Sequence, residues 1–426
     1  MKSDLTTVGI LGSDFPGVKP ALTVSEGDSV SAGEVLFHDK RDSQICAFAP
    51  VSGQVLKIHR GAGRTLTSIA IAQEGLIAPS IPYLKQAAPE DRDALISVLL
   101  ISGLWARLRQ RPFGTVPLTS IRPRKLFVAA LESRPGAADP IPFVQKEMAA
   151  FKLGLEAFCL LPTQETVLCL RQSLPILPMK KGLLRQITFP GKHPNGLPGT
   201  HIHLLSNPTP DNPVLAVDAR TVVELGQLLS GVTGTADRSV DVSGEGLSRP
   251  GIYTALPGAS IGALLEQAGG SFDLPNIRVI AGSALDGRQI GLNNAFLGVF
   301  EHQLQVLGET PLRGSRGLRG LPVFDRTGLF ASIGLRDIFA RTGTHMNGAT
   351  ASMVPAESME RVWPHRVPVI PLLRALVTED DDTALDLGAL AFVEEDMSLV
   401  SWACPGKYDY GQALRAFLDR VQLDMS

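Results

Sequence analysis

The chain has 426 residues, 44% hydrophobic and 19% charged, an ordinary globular composition but too long for one core, so three or four compact units are expected. A net charge of −2 with no clustered basic face argues against nucleic acid as a partner. The N-terminus "MKSDLTTVGI" lacks the pattern of a secretory signal, and the longest apolar stretch, Ala94 to Ala106, falls short of the roughly 20 residues a membrane-spanning helix needs, so any membrane role is expected to be peripheral.

In chain order, residues 1–75 read as a β unit in which short apolar runs alternate with Gly, Asp and Pro turns. Its phrases "VSEGDSVSAGEVL" and "APVSGQV" resemble the barrel-sandwich fold of biotinyl and lipoyl carrier domains. A carrier needs a modifiable lysine at its hairpin tip, and Lys40 lies farther from "APVSGQV" than carriers place it, so no covalent modification is expected. From about 90 to 235 helices and strands alternate: "DRDALISVLLISG" is a helix closed by Gly103, "KLFVAAL" a strand and "PFVQKEMAAFKLGLEAFCLL" an amphipathic helix. "TVLCL", "QITFPG" and "THIHLL" read as strands, and "PVLAVDARTVVELGQLLSG" as strand then helix, which predicts a Rossmann-like layered α/β domain. Between 238 and 335, strands around the short helix "ASIGALLEQAGG" predict a β-grasp (ubiquitin-like) unit, with Ser260 as helix cap. Residues 336–426 read as helical, with "EDDD" and "EED" as acidic helix starts rather than paired catalytic carboxylates. The fold class is therefore multidomain α/β.

The motifs that carry chemistry are few. No G-x-G-x-x-G stands between a strand and a helix, as a dinucleotide site requires. "LRGSRGLRG", with Arg313, Arg316 and Arg319, reads as a basic loop. Cys46, Cys159, Cys169 and Cys404 are too far apart for zinc or iron–sulfur ligation, and Cys404 in "CPGKYDYG" is read as packing beside a Pro-Gly turn. His201 and His203, on a strand, would share a face, but no third ligand is evident, so no metal is expected.

Four stretches together, "EGDSVSAGEVLFHDK" with "RGAGRTLTSIAI", "SGLWARLRQRPF", "GKHPNGLPGTHIHLL" and "EEDMSLVSWACPGKYDYG", resemble the NqrA family, the A subunits of sodium-translocating NADH:quinone reductases. The resemblance spans nearly the whole chain, and makes residues 238–335 an SLBB-like unit. It implies a peripheral subunit on the cytoplasmic face of a bacterial inner membrane, in a six-subunit respiratory-chain complex that oxidises NADH, reduces ubiquinone and exports Na+. The chain would sit beside the membrane-embedded B subunit and contribute to quinone binding. FMN, FAD, riboflavin and iron–sulfur centres would lie on partner subunits, so no catalytic residue is expected here. The family begins with about twenty further residues ahead of "VGILGSDFPGVKP", which implies either an incomplete first β unit or a misassigned start.

A more distant likeness links the chain to the flavin-bearing NADH subunit of complex I and the C subunit of the Rnf complex. Where those relatives have a glycine-rich flavin loop, Trp105, Arg107 and Arg109 supply bulk, and this argues against the alternative of a self-contained flavin or NADH oxidoreductase. A quinone site needs an apolar slot, aromatic rings and donors for the carbonyl oxygens. "LGSDFPGV" offers Leu11, Phe15 and Val18, and "WARLRQRPF" offers Trp105, Arg109, Arg111 and Phe113, so these seven are the expected quinone-binding residues.

Overall fold

The structure is a computed structural model and describes residues 7–74, 89–175, 182–231, 238–271, 277–291, 295–308, 353, 357–404, 406 and 408–425. In the first unit, β1 (Thr7–Leu11), β7 (Leu66–Gln73), β6 (Gly53–Arg60) and β3 (Ser29–Val30) form one antiparallel sheet in that order. A second sheet holds β2 (Pro20–Leu22), β4 (Val35–Asp39) and β5 (Cys46–Phe48). Leu36, Phe37, Val55, Ile69 and Ile71 are among the buried core residues of this unit. Two successive turns of this unit are built alike. Asp28 accepts from the Ser25 amide at 2.7 Å and Glu34 from the Ser31 amide at 2.9 Å. Gly27 and Gly33 take φ of +94° and +84°, where a β-carbon would be strained, and their amides reach Val55 and Ala49 carbonyls, each at 2.8 Å.

The hairpin tip between β4 and β5, where a carrier would hold its lysine, is docked on the second unit. Ile45 joins that unit's core, and Asp42 accepts from the Thr119 amide at 2.9 Å and its hydroxyl at 2.6 Å. Lys40 stands exposed beside this anchored tip.

The second unit is a five-stranded sheet in the order β11 (Leu184–Thr188), β10 (Glu165–Leu170), β9 (Lys125–Ala130), β12 (Val214–Asp218) and β8 (Arg109–Arg111). All neighbours pair parallel except β8, an antiparallel edge strand on β12. Strand side chains alternate between two cores: Leu126, Val128, Leu168, Leu170, Leu215 and Val217 face one, and Phe127, Val167, Cys169, Val214 and Ala216 face the other. Helix α1 (Arg92–Ile101) starts at the Asp91 cap, which accepts the Ala94 amide, and Gly103 follows with φ +72°. The amphipathic helix expected at 142–161 is two helices, α2 (Ile141–Lys146) and α3 (Met148–Phe158), because Glu147 at φ −104° and ψ 30° leaves the helical region.

The "THIHLL" segment is likewise a helix, α4 (Pro198–Leu205), not a strand. Pro198 presets its first turn, and Ile202 and Leu205, three apart, both reach the second core. Helix α5 (Ala219–Leu229) crosses α3 with backbones in contact. A β-carbon on Gly226 would fall 1.7 Å from the Ala150 carbonyl oxygen, and one on Gly154 would fall 1.9 Å from that of Val222. Gly226→Ala is therefore expected to destabilise the chain by about 1–3 kcal/mol, read as a lowered denaturant midpoint; an unchanged midpoint would show that the helices can separate freely.

The third unit has the sheet order β14 (Gly251–Ala255), β13 (Arg238–Gly244), β17 (Gln303–Gly308), β15 (Ile277–Ala281) and β16 (Arg288–Gln289). Helix α6 (Ile261–Gln267) packs on it, and Ser260 caps it by accepting the Ala263 amide. The basic loop 312–320 lies outside the described residues.

Towards the C-terminus stand α7 (Glu357–Arg361), α8 (Val369–Thr378), α9 (Asp381–Asp386), α10 (Glu394–Ala403) and α11 (Tyr410–Asp424) around their own core. Cys404 is fully buried there, its Sγ 3.3 Å from the Tyr410 hydroxyl. Among the described residues, no helix is long and apolar enough to cross a membrane.

Candidate functional site

The loop after β1 leaves the first unit where three units meet. Leu11 is buried against Ala70 and Phe296, and Phe15 sets its ring edge-on to Phe37 with centroids 5.0 Å apart. Val18 packs against the cores of both the first and second units. The loop backbone is anchored at three points. The Val116 amide donates to the Pro16 carbonyl at 2.9 Å, the Arg41 guanidinium to the Gly17 carbonyl at 2.5 Å, and Arg109 Nη2 to the Asp14 carbonyl at 2.8 Å.

Arg109 is the centre of the junction. Edge strand β8 fixes its backbone opposite Ala216, and its Nη1 donates to the Ala106 and Leu108 carbonyls at 2.7 and 3.0 Å. Its Cζ lies 4.5 Å from the centroid of Phe300, a residue of the third unit. Burial lowers the guanidinium pKa to about 10, and the Asp14 charge is the first of the influences opposing that shift. Asp14 in turn accepts the Val299 amide at 3.2 Å through Oδ1, so this one residue touches all three units.

The seven expected residues divide. Leu11, Phe15, Val18 and Arg109 come together at the junction. Trp105 is 1% exposed in the core of the second unit, its indole donating to the Pro117 carbonyl at 2.8 Å. Phe113, at φ +84°, projects into the C-terminal helical core, and its carbonyl accepts from Arg415 at 2.9 Å. Arg111 turns the same way: it is 3% exposed, with Nη2 3.7 Å from Glu395. Arg107 pairs with Glu224 on α5.

Sequence reasoning missed a second junction. Arg134 binds Glu132 at 2.9 Å, Asp286 of the third unit at 2.6 Å, and Glu395 of α10. Asp396 beside it is 5% exposed and accepts the Val393 amide at 2.9 Å through Oδ2, while its Oδ1 has no hydrogen-bond partner among the described residues. Its carboxylate lies over Gly199 in the first turn of α4, where a β-carbon would fall 2.1 Å from Oδ2. Burial, then the neighbouring Glu395, pushes the Asp396 pKa up to about 7. "EED" does begin a helix, as expected, but no local signal reveals that Glu395 meets Arg111 and Arg134, more than 250 positions away.

The two histidines of α4 do not face the same side. His201 donates its Nε2–H to the Asn195 carbonyl at 2.6 Å and lies against Phe189. His203 stacks on Phe392 and meets His365 edge-on, 4.9 Å between centroids. Burial lowers the pKa values of His201 and His365 to about 4 and about 3. Among the described residues, no group of three or more His, Cys, Asp or Glu could hold a metal ion.

A barrel-sandwich unit, an α/β unit and an SLBB unit joined in that order define a class of modular multidomain proteins. Residues 1–74 match the NqrA N-terminal barrel-sandwich hybrid domain, 90–235 the NqrA second alpha/beta domain and 239–293 the SLBB domain. Among curated relatives, the A subunit of the Na(+)-translocating NADH-quinone reductase of Aliivibrio salmonicida is 35% identical over 99% of this chain and 94% of its own. Its counterparts in Klebsiella pneumoniae and Saccharophagus degradans are 36% and 34% identical, over 97% and 98% of this chain and 93% and 94% of theirs. The chain belongs to the NqrA family, the A subunits of Na(+)-translocating NADH-quinone reductases. An NAD+-reducing [NiFe]-hydrogenase chain matches at a TM-score of 0.39 and 14% identity over 79% of this chain and 66% of that one, too loosely to carry an argument.

Proposed function

We propose that this chain is the peripheral A subunit of a sodium-pumping NADH:ubiquinone oxidoreductase, contributing to quinone binding and assembly while partner subunits hold the flavins and iron–sulfur centres. It would sit on the cytoplasmic face of the inner membrane, against the membrane-embedded B subunit. In this reading the units are a barrel sandwich (1–75), a Rossmann-like domain (90–235), a β-grasp domain (238–335) and a helical domain (336–426). The observation that carries the quinone assignment is the Arg109–Asp14 hydrogen bond, which joins the two stretches singled out for quinone contact although they lie far apart in sequence. Around it stand Leu11, Phe15 and Val18 as apolar wall. Arg109 has five N–H groups, and three are engaged with carbonyls, which leaves Nε–H and one Nη2–H to donate to a quinone oxygen. Trp105, Arg111 and Phe113 support the strand and loop that hold Arg109 in place.

Titration of the protein with ubiquinone-1, followed by tryptophan fluorescence, tests this reading. Val18 packs against the same core as Trp105, so a ring bound at the loop lies close to a fluorophore. Saturable quenching is expected, with affinity weakened about tenfold in Arg109→Lys, which keeps the charge but loses the planar fork. An unchanged affinity in a folded Arg109→Lys protein would remove the site from this junction.

A further inference from the structure

Resting on that quinone-site reading, we infer that the third unit supplies a wall of the same site through residues 296–301, with Phe300 as the residue that positions the Arg109 guanidinium. The loop is closely stapled. Arg288 on β16 makes a bidentate pair with Glu301, both bonds 2.9 Å, and donates to the Phe296 carbonyl at 2.8 Å. Glu301 also accepts the Gly298 amide at 2.7 Å. Phe296 anchors one end against Leu11 and Ala70, and the Val299 amide reaches Asp14 in the middle.

This bracing presents one ring to one cation. Phe300 is half-buried and belongs to none of the hydrophobic cores among the described residues, so core packing does not account for its position. Its ring lies under Arg109. A guanidinium withdrawn from water recovers interaction from carbonyl oxygens and from an aromatic face. The Ala106, Leu108 and Asp14 carbonyls take its edge, and Phe300 takes its face. With one face covered and three N–H groups fixed, the remaining two donors are held in one orientation. Binding of a planar, carbonyl-bearing ring would then depend on the third unit as well as on the first two.

The test is steady-state kinetics of the assembled complex with ubiquinone-1, comparing Phe300→Leu, Phe300→Tyr, Arg109→Lys and the double variant Phe300→Leu/Arg109→Lys. Phe300→Leu is expected to raise KM for the quinone about threefold to tenfold, with kcat and the KM for NADH unchanged. Phe300→Tyr, which keeps the ring face, should restore KM, and the double variant should be no worse than Arg109→Lys alone. A raised KM in Arg109→Lys with an unchanged KM in Phe300→Leu would overturn the role of Phe300 and leave the quinone site standing. An unchanged KM in both would overturn the site reading and this inference with it. Should Phe300→Leu fail to assemble, Phe300→Trp decides: a lowered KM supports the inference and an unchanged one overturns it.

Discussion

Arg134→Met is expected to destabilise the folded chain by about 3 kcal/mol and to split its unfolding into separate transitions. Arg134 is the only cation of the described residues bonded to carboxylates from three different units: Glu132, Asp286 and Glu395. Each of these side chains is at least three-quarters buried. Removing the cation leaves three acids facing one another in a low-dielectric junction, and breaking a buried pair from one side typically costs about 3–5 kcal/mol. Partial exposure places this case at the lower end. Burial already raises the Asp286 pKa with Arg134 beside it, so without the arginine that acid would take up a proton more readily still. Because two of the three lost pairs, those to Asp286 and Glu395, join units rather than fold any one of them, the units should unfold at different denaturant concentrations. The contrasting pair is Arg361 with Glu357 on α7, 2.7 Å apart but 72% and 74% exposed, where Arg361→Met should change stability by less than about 0.5 kcal/mol. Equal effects of the two substitutions, measured by urea titration, would contradict this weighting by burial.

What was legible in the sequence is what local pattern encodes. The strands "KLFVAA", "ETVLCL" and "VLAVD" are short apolar runs, and the cap Ser260 stands where its helix begins. The α4 segment misled because "THIHLL" alternates polar and apolar over four residues, a span too short to separate period 2 from period 3.6, and the proline ahead of it was the better signal. Strand β8 went unread because "RQR" has no apolar pattern; it exists as an edge on β12. The candidate site was half legible. Rings beside arginines drew notice to Trp105 and Phe113, but only the fold shows that each belongs to a different core, while Asp14 and Phe300 gain meaning only from their neighbours across unit boundaries.

The second large effect concerns Asp396. The groups around it are Glu395 on its own helix, Arg111 and Arg134 from the second unit, and the first turn of α4 at Gly199. Its pKa rises from an ordinary aspartate value to about 7 in the folded chain, so the folded state holds a proton that the unfolded state releases. Below about pH 4 both states are protonated and Asp396 carries no penalty. As pH rises from there towards 7 the unfolded state ionises first, and stability falls; above about pH 7 the full penalty of a buried carboxylate is present. Asp396→Asn has the shape of the protonated acid: its amide oxygen can accept the Val393 amide, and its NH2 takes the place of Oδ1, which has no hydrogen-bond partner among the described residues. The variant is therefore expected to be more stable than the parent at pH 8, by on the order of 2–4 kcal/mol, and equal to it near pH 4. His193, His201, His203 and His365, all with pKa values lowered by burial, tilt the parent's curve the other way, because unfolding frees them to take up protons as pH falls. They are common to both proteins, so the difference between the two stability curves, measured by urea titration from pH 4 to 8, isolates Asp396. A difference that stays flat across that range, or that makes the variant weaker at pH 8, would mean that Asp396 is ionised in the folded chain and held so by Arg111 and Arg134, and the junction would then be a closed ion network with no proton to lose.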